Sequence, residues 1–535
     1  MHFPGFVLLA LCAVASAQAP APVIDVGNAK YQGFVDSNTN ISVYLGIRYA
    51  AAPLGELRWQ APQSPPIFPD TQSAVTQPPE CPQASSGTSP TNPIPKAALS
   101  RRATDITFSE DCLFLNLYVP GNSVPKRKLP VVVWIHGGGY IAFGAAEYDG
   151  RDLINGAGKE VVAVVIQYRL GVFGFLSSSK IKDKGVLNAG LLDQEFALEW
   201  VQKHISNFGG DPNQVTIWGE SAGAGSVLQH VIARDGKTHP PLFRAAITSS
   251  SFLPPQYLFN DPYPESVFGQ VVSLSGCANS TDALSCLRAA DFSVLQAANL
   301  AVNTGAFFGT FATAPVIDGE FVTQRPTQAL RQKKVNGRVL LAVTNTHEGD
   351  IFVDPNAITS SNMGAAQYAN LLYPRIGSEQ AALAGRLYDG VGSPVEQANA
   401  IMGESVFTCP SYYLLNAFPG RSFKAEYAVP PALHGDDLPY YFPTSIGSPP
   451  PTFNNTAFAT SFAQSFFNVA LFMDPNHKLG KSSTTPPWPS FLLGNTEMLF
   501  NRTEGKQPDI RPIGTDSKLL QRCAFWESVS HLTSQ

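Results

Sequence analysis

The sequence predicts an α/β protein with a large, mostly parallel central sheet, helices on both faces and long insertions. Three observations point to this. Short, fully apolar runs such as Leu129–Ile135 recur along the 535-residue chain, as strands buried on both faces require. Stretches of helical pattern, including Gly190–Val201 and Ala222–Ala233, alternate with those runs. A Gly-x-Ser-x-Gly string, Gly219–Gly223, joins the apolar run Val215–Trp218 to one of the helical stretches.

From the N-terminus, residues 1–17 predict a secretory signal. Phe6–Val14 is an apolar run too short to span a bilayer, and Ala15-Ser16-Ala17 is a small-x-small cleavage site. The segment before it carries His2 but no Lys or Arg. The mature chain then starts near Gln18, and residues 18–535 are expected to form a single domain, because no linker separates independent units. No later stretch reaches about 18 uninterrupted apolar residues, so a secreted protein without a stable membrane anchor is expected. Cys12 leaves with the signal. Cys81, Cys112, Cys277, Cys286, Cys409 and Cys523 remain, an even set that implies disulfides in an oxidising compartment. No Cys-x-x-Cys pair or Cys/His cluster suggests a metal site. Asn40, Asn279, Asn454 and Asn501 head Asn-x-Ser/Thr acceptors for glycan. Charged residues make up only 14% of the chain, the net charge is −5, and no long Lys/Arg run occurs, which excludes a nucleic-acid footprint.

Val23–Tyr49 alternates strand-like runs with turn residues and predicts an antiparallel hairpin. Residues 82–111, rich in Ser, Thr and Pro, form an irregular excursion. Strands are predicted at Leu113–Val119, Leu129–Ile135, Glu160–Gln167, Val215–Trp218, Ala245–Ser249 and Val339–Thr344. Residues 260–335 and 355–425 read as helical insertions over the sheet.

Ser221 is expected at the tip of a sharp strand-to-helix turn, with the Ala222 amide and a helix N-terminus beside it. A serine hydroxyl is a weak nucleophile and needs a base, an orienter for the base and donors for an oxyanion. His136-Gly137-Gly138-Gly139-Tyr140, directly after an apolar strand, is a loop whose amides suit the last task; His136 itself reads as structural. Among downstream bases, His434 lies in a loop-like stretch, His477 and His531 in polar surroundings, and His347 directly precedes a candidate acid. Glu348 follows the apolar strand ending at Thr344, with Asp318, Asp350 and Asp354 as competitors that local pattern does not separate.

Longer strings carry a resemblance. Phe208-Gly209-Gly210-Asp211-Pro212-Asn213 through Gly219-Glu220-Ser221-Ala222-Gly223, and Glu110-Asp111-Cys112-Leu113-Phe114-Leu115-Asn116-Leu117, resemble the two signatures of the type-B carboxylesterase/lipase family, which includes cholinesterases and secreted fungal lipases. Tyr168–Leu176, Asn188–Gln194 and Leu45–Ala50 are similar to that family too, as are Asp474-Pro475-Asn476 and Trp488-Pro489. The resemblance implies an α/β-hydrolase fold and serine carboxylic ester hydrolysis without a cofactor. It implies Ser221 as nucleophile, Glu348 as acid, His434 as base, and the amides of Gly138, Gly139 and Ala222 as the oxyanion hole. It also implies a Cys81–Cys112 and a Cys277–Cys286 disulfide, leaving Cys409 and Cys523 as the third pair. Glu220 recurs in the family motif but is given no proton-transfer role. His347 departs from the acidic or small residue common before the acid.

The expected partner is a small-molecule or lipid ester. The 82–111 excursion is polar rather than amphipathic, which favours an esterase for soluble, aromatic or lipophilic esters over an interface-acting lipase or sterol esterase. Phe307, Phe308 and Phe311 are candidates for an acyl or aryl pocket or for plain core packing. A peptidase or amidase with the same triad is a further alternative. So is a non-catalytic binding protein, which characteristically lacks a triad residue; none is missing here.

Overall fold

The computed structural model describes residues 19–92, 108–418, 420–445, 450–480 and 483–535. The signal expected at 1–17, and residues 93–107 of the excursion, lie outside them.

The strands are β1 (Ala19–Asp25), β2 (Lys30–Asp36), β3 (Ile41–Arg48), β4 (Thr71–Ser73), β5 (Phe114–Pro120), β6 (Leu129–Ile135), β7 (Val162–Ile166), β8 (Gly210–Glu220), β9 (Ala245–Ser249), β10 (Val339–Asn345), β11 (Ser422–Tyr427), β12 (Thr496–Arg502) and β13 (Pro508–Gly514). They form one sheet in the order β1-β2-β3-β5-β7-β6-β8-β9-β10-β11-β12-β13, with β4 added beside β2. Neighbours from β7 to β12 are parallel. Along the main path the pairs outside that block, β1–β2–β3–β5–β7 and β12–β13, are antiparallel. The hairpin expected at Val23–Tyr49 is therefore two successive turns and three strands.

Alternation along β6 shows how the sheet is covered. Val131, Val133 and Ile135 join a core that includes Val227 and Leu228 of the helix Ala222–Gly236 and Leu198 of the helix Ala189–His204. Val132 and Trp134 join the opposite core, with Phe462 and Phe466 of the helix Thr456–Phe472. All seven β6 residues are buried, which is why its sequence is an unbroken apolar run.

β11 to β13 escape the sequence pattern, and β11 shows why. It alternates Ser422, Lys424 and Glu426 with Phe423, Ala425 and Tyr427 instead of forming an apolar run. Lys424 is fully buried because its Nζ lies 3.2 Å from Glu497 Oε2 on β12 and also donates to Thr344 Oγ1 on β10. A buried charge is tolerated only when paired. Lys424→Ala leaves the Glu497 carboxylate buried without its cation, and is expected to lower unfolding free energy by about 3–5 kcal/mol in denaturant titration.

The disulfides are Cys81–Cys112, Cys277–Cys286 and Cys409–Cys523. Among the described residues no helix is long and apolar enough to cross a membrane. Asn40, Asn279 and Asn454 are exposed, while Asn501 is half-buried on β12. The segments that follow the C-terminal ends of β6, β8, β10 and β11 carry Gly138, Ser221, Glu348 and His434 in turn. That end of a parallel sheet is where α/β proteins gather ligand-binding groups.

Candidate active site

Ser221 caps the helix Ala222–Gly236 with φ 55° and ψ −125°, a strained conformation for a residue with a Cβ. Its amide donates to Ser249 O at 3.0 Å and its carbonyl accepts from Gly225 N at 2.8 Å, so both sides of the turn are fixed. The flanking glycines are required by contact. A Cβ at Gly219 would stand 2.4 Å from Gly223 C, and one at Gly223 would stand 2.0 Å from Ile135 O. Strand β6 and the turn after β8 are therefore pressed together, which carries the glycine loop onto the serine.

That loop starts at His136, which is fully buried and stacked on Tyr168 with ring centroids 4.4 Å apart. Burial pushes His136 down to about 4, so it is neutral and structural. Gly138 and Gly139 have φ of 89° and 62°, and a Cβ at Gly139 would fall 2.1 Å from Phe311 Cε1. The loop thus runs between the serine turn and an aromatic wall.

Glu348 and His434 meet. His434 Nδ1 lies 2.6 Å from Glu348 Oε2, and Phe352 and Phe407 pack against the imidazole. Glu348 Oε1 accepts from the Asn345 amide and from Ser250 Oγ, each at 2.7 Å. The other acids are occupied elsewhere. Asp318 accepts from Asn188 Nδ2, Asp354 caps the helix Pro355–Ser360, and Asp350 lies 3.9 Å from His347 Nδ1. His347, His477 and His531 are exposed.

Four residues of this network have no role in the sequence reading. Ser250 and Asn345 hold Glu348. Asp437, fully buried, accepts from Asn345 Nδ2 at 3.1 Å and Tyr441 OH at 3.0 Å. Glu220 places Oε1 3.2 Å from His434 Nε2. The Asp436-Asp437 pair after His434 and the family motif around Glu220 are local hints, and the Asn345 amide reaches Glu348 only three residues on; Ser250 meets Glu348 across 98 residues of chain and Asn345 meets Asp437 across 92. Burial pushes Glu220 up to about 8, against the pull of the His434 charge, and pushes Asp437 up to about 6. For His434, burial acts downward, but the Glu348 hydrogen bond and the charges of Glu348, Glu220 and Asp437 outweigh it and hold the imidazole up at about 9.

Ser221, Glu220, His434, Gly138 and Gly139 line one cavity of about 590 Å³, whose wall includes Phe308 and Phe311. Phe143 and Ile351, 44% and 50% exposed, stand on the same wall and leave apolar surface open to solvent. Phe311 also borders a narrow apolar chamber of about 70 Å³ lined by Phe252, Phe307, Tyr257 and Leu371. Of the three phenylalanines in question, Phe308 faces the cavity, Phe307 the chamber, and Phe311 both. A hydroxyl, an imidazole, a carboxylate on that imidazole and a glycine loop beside the hydroxyl are the set that acyl transfer requires. Among the described residues no group of three or more His, Cys, Asp or Glu is arranged to hold a metal ion.

Known proteins share this architecture. "Secreted lipase 1" of Botryotinia fuckeliana is 30% identical over 523 residues, covering 89% of this chain and 88% of that protein. "Pyrethroid hydrolase Ces2e" of Rattus norvegicus is 30% identical over 553 residues, covering 97% and 92%. The crystal structure of Aspergillus niger EstA is similar with a TM-score of 0.84 and 30% identity, covering 96% of this chain and 99% of that one. Residues 20–526 match the model of the carboxylesterase family, and with a mostly parallel sheet presenting this site, the chain belongs to that family and is a carboxylic ester hydrolase of α/β-hydrolase fold.

Proposed function

We propose that the protein is a secreted serine esterase that cleaves soluble, aromatic or lipophilic esters through an acyl-enzyme, using Ser221, His434 and Glu348. The observation that carries this is the 2.6 Å contact of His434 Nδ1 with Glu348, on an imidazole that lines the same cavity as Ser221 and the glycine loop. His434 Nε2 takes the Ser221 proton as Oγ attacks the ester carbonyl. The amides of Gly138, Gly139 and Ala222 stabilise the charge that builds on oxygen, and losing one such donor typically costs roughly 10²–10³ in rate. The tetrahedral species collapses, Nε2 returns the proton to the departing alkoxide, and water repeats the sequence on the acyl group. Glu348 holds the proton on Nδ1 throughout and stabilises the imidazolium.

Exposed apolar surface at Phe143 and Ile351 and the chamber beyond Phe311 support a lipophilic ester. A relative named for pyrethroid hydrolysis supports the esterase reading, and one named a secreted lipase supports the alternative of a lipase or sterol esterase. Extracellular location after a signal at 1–17 is supported by the three disulfides, and one unit from 18 to 535 by the single sheet that β1 to β13 share. The exposed acceptors Asn40, Asn279 and Asn454 are the proposed glycan sites.

A hydrolysis panel of short- and long-chain p-nitrophenyl esters, hydroxycinnamates and sterol esters, with matched amides, tests the function. Turnover of dissolved esters well above the amides is expected, without a jump when triglyceride is emulsified. A large interfacial jump would favour the lipase.

The pH dependence has a defined sign. The base works only when neutral, and its carboxylate neighbours raise its proton affinity, so kcat/KM should rise with pH to a midpoint above the ordinary imidazole value of 6.5. Glu220→Gln removes one of those carboxyls. The rising limb should move to lower pH, read from kcat/KM between about pH 5 and 10; a limb that stays put or moves up contradicts the assignment.

A further inference from the structure

A carboxyl pair that the reaction above leaves unused stands between the glycine loop and the first disulfide loop. Glu80 directly precedes Cys81, and its carboxyl converges with that of Glu147, which lines the cavity, on Gly144: a Cβ there would stand 3.3 Å from Glu80 Cδ, and the Gly144 amide donates to Glu147. Each partner is tied to its own segment. Gln83 Nε2 donates to Glu80 Oε2 at 2.7 Å, and Gly144 N, at the far end of the glycine loop, donates to Glu147 Oε2 at 2.9 Å. One backbone bond runs parallel to the pair, Ala84 N to Ile141 O at 2.8 Å. Two carboxyls form a hydrogen bond only when one keeps its proton.

Among the described residues no cation is paired with either carboxyl. Nearby Glu110 and Asp111 are held by Arg58 and Arg48, and Asp149 is held by Arg151. The other facing groups are the amide of Gln167, which accepts from Ala145 N and donates to Pro79 O, and the buried Tyr148 phenol, raised chiefly by burial and further by the Glu220 and Glu147 charges.

We infer that Glu80 and Glu147 share a proton and thereby act as positioning residues, holding the glycine loop against the first disulfide loop until rising pH removes that proton. This rests on the reading of Gly138 and Gly139 as oxyanion donors. Burial and the neighbouring Glu147 charge push Glu80 up to about 7, so the tie is closed below neutrality and opens above it. Once both carboxyls are ionised they repel, and Glu147 is drawn away from Gly144 N. The change falls on the segment that aims the oxyanion amides, so kcat rather than KM should respond.

The test combines hydrogen exchange with kinetics in the full chain. In the unaltered protein, exchange at residues 84–86 and 141–145, corrected for intrinsic rates, should quicken about tenfold or more between about pH 6 and 8.5. Glu80→Gln keeps a donor and cannot ionise. Its protection should hold across that range, and its kcat relative to the unaltered protein should climb with pH while KM stays level. Glu147→Gln gives a second route. Its new side-chain amide would donate to the Glu80 carboxylate and accept from Gly144 N, so it should show the same pH-independent protection. Exchange in both variants that tracks the unaltered protein at every pH overturns the proposal. If no ester is turned over by any form, the functional reading fails, and the exchange data still judge the tie.

Discussion

Ser221→Ala is expected to lower kcat by about 10⁶-fold while leaving the melting temperature and circular dichroism unchanged. The substitution removes only Oγ. The strained φ of 55° is held by the Ser249 and Gly225 backbone bonds and by the contact of Gly219 with Gly223, none of which involves the hydroxyl. Alanine meets the same steric cost at that φ as serine does, so the turn survives. Titration with p-nitrophenyl acetate should show neither a burst nor steady turnover above the oxyanion-hole background. Retained turnover would move the nucleophile elsewhere.

Glu348→Gln is the second large effect, expected at about 10⁴-fold in kcat by analogy with the loss of the orienting acid in serine proteases. The amide oxygen can still accept from Asn345 N and Ser250 Oγ, so the side chain keeps its place. Its NH₂ then faces His434 Nδ1 at the position of Oε2 and donates to it. That tautomer puts the hydrogen on Nε2, where a lone pair must receive the Ser221 proton. The Glu348 charge that raises the imidazole is also lost, so whatever activity remains should have its rising limb at lower pH. Glu348→Asp, which keeps the charge and shortens the reach, should fall between the two. A Gln variant within about tenfold of the parent in kcat would show that Glu348 does not set the tautomer.

The parts of the site that read directly from the sequence are those built from consecutive residues. Gly219–Gly223 is a turn whose steric needs are written in its own glycines. Gly137–Gly139 follows an unbroken apolar strand, so its place at the sheet's C-terminal end is equally local. Glu348 and His434 are different. Four acids and several histidines fit the local pattern, and only the family strings choose among them. The structure separates them by partner: Asp318 and Asp354 spend their oxygens on Asn188 and a helix cap, whereas Glu348 faces His434. Ser250 has no pattern to reveal it, and the side-chain contacts that join it to Asn345 and Asn345 to Asp437 form only when β9, β10 and the His434 loop are brought together. Glu220 sits in plain view beside the serine, yet its approach to His434 Nε2 is set by a loop more than 200 residues away. For the fold, the apolar strands β6, β7 and β10 are legible and β11 is not, since its buried Lys424 makes sense only beside Glu497.

Covalent labelling with a fluorophosphonate, followed by peptide mass spectrometry, tests the assignment of the nucleophile most directly. One adduct per chain is expected, on Ser221 within the Gly219–Gly223 string, and it should be abolished in Ser221→Ala and slowed strongly in His434→Ala. An adduct on any other serine, or full ester turnover after the probe has failed to label Ser221, would contradict it.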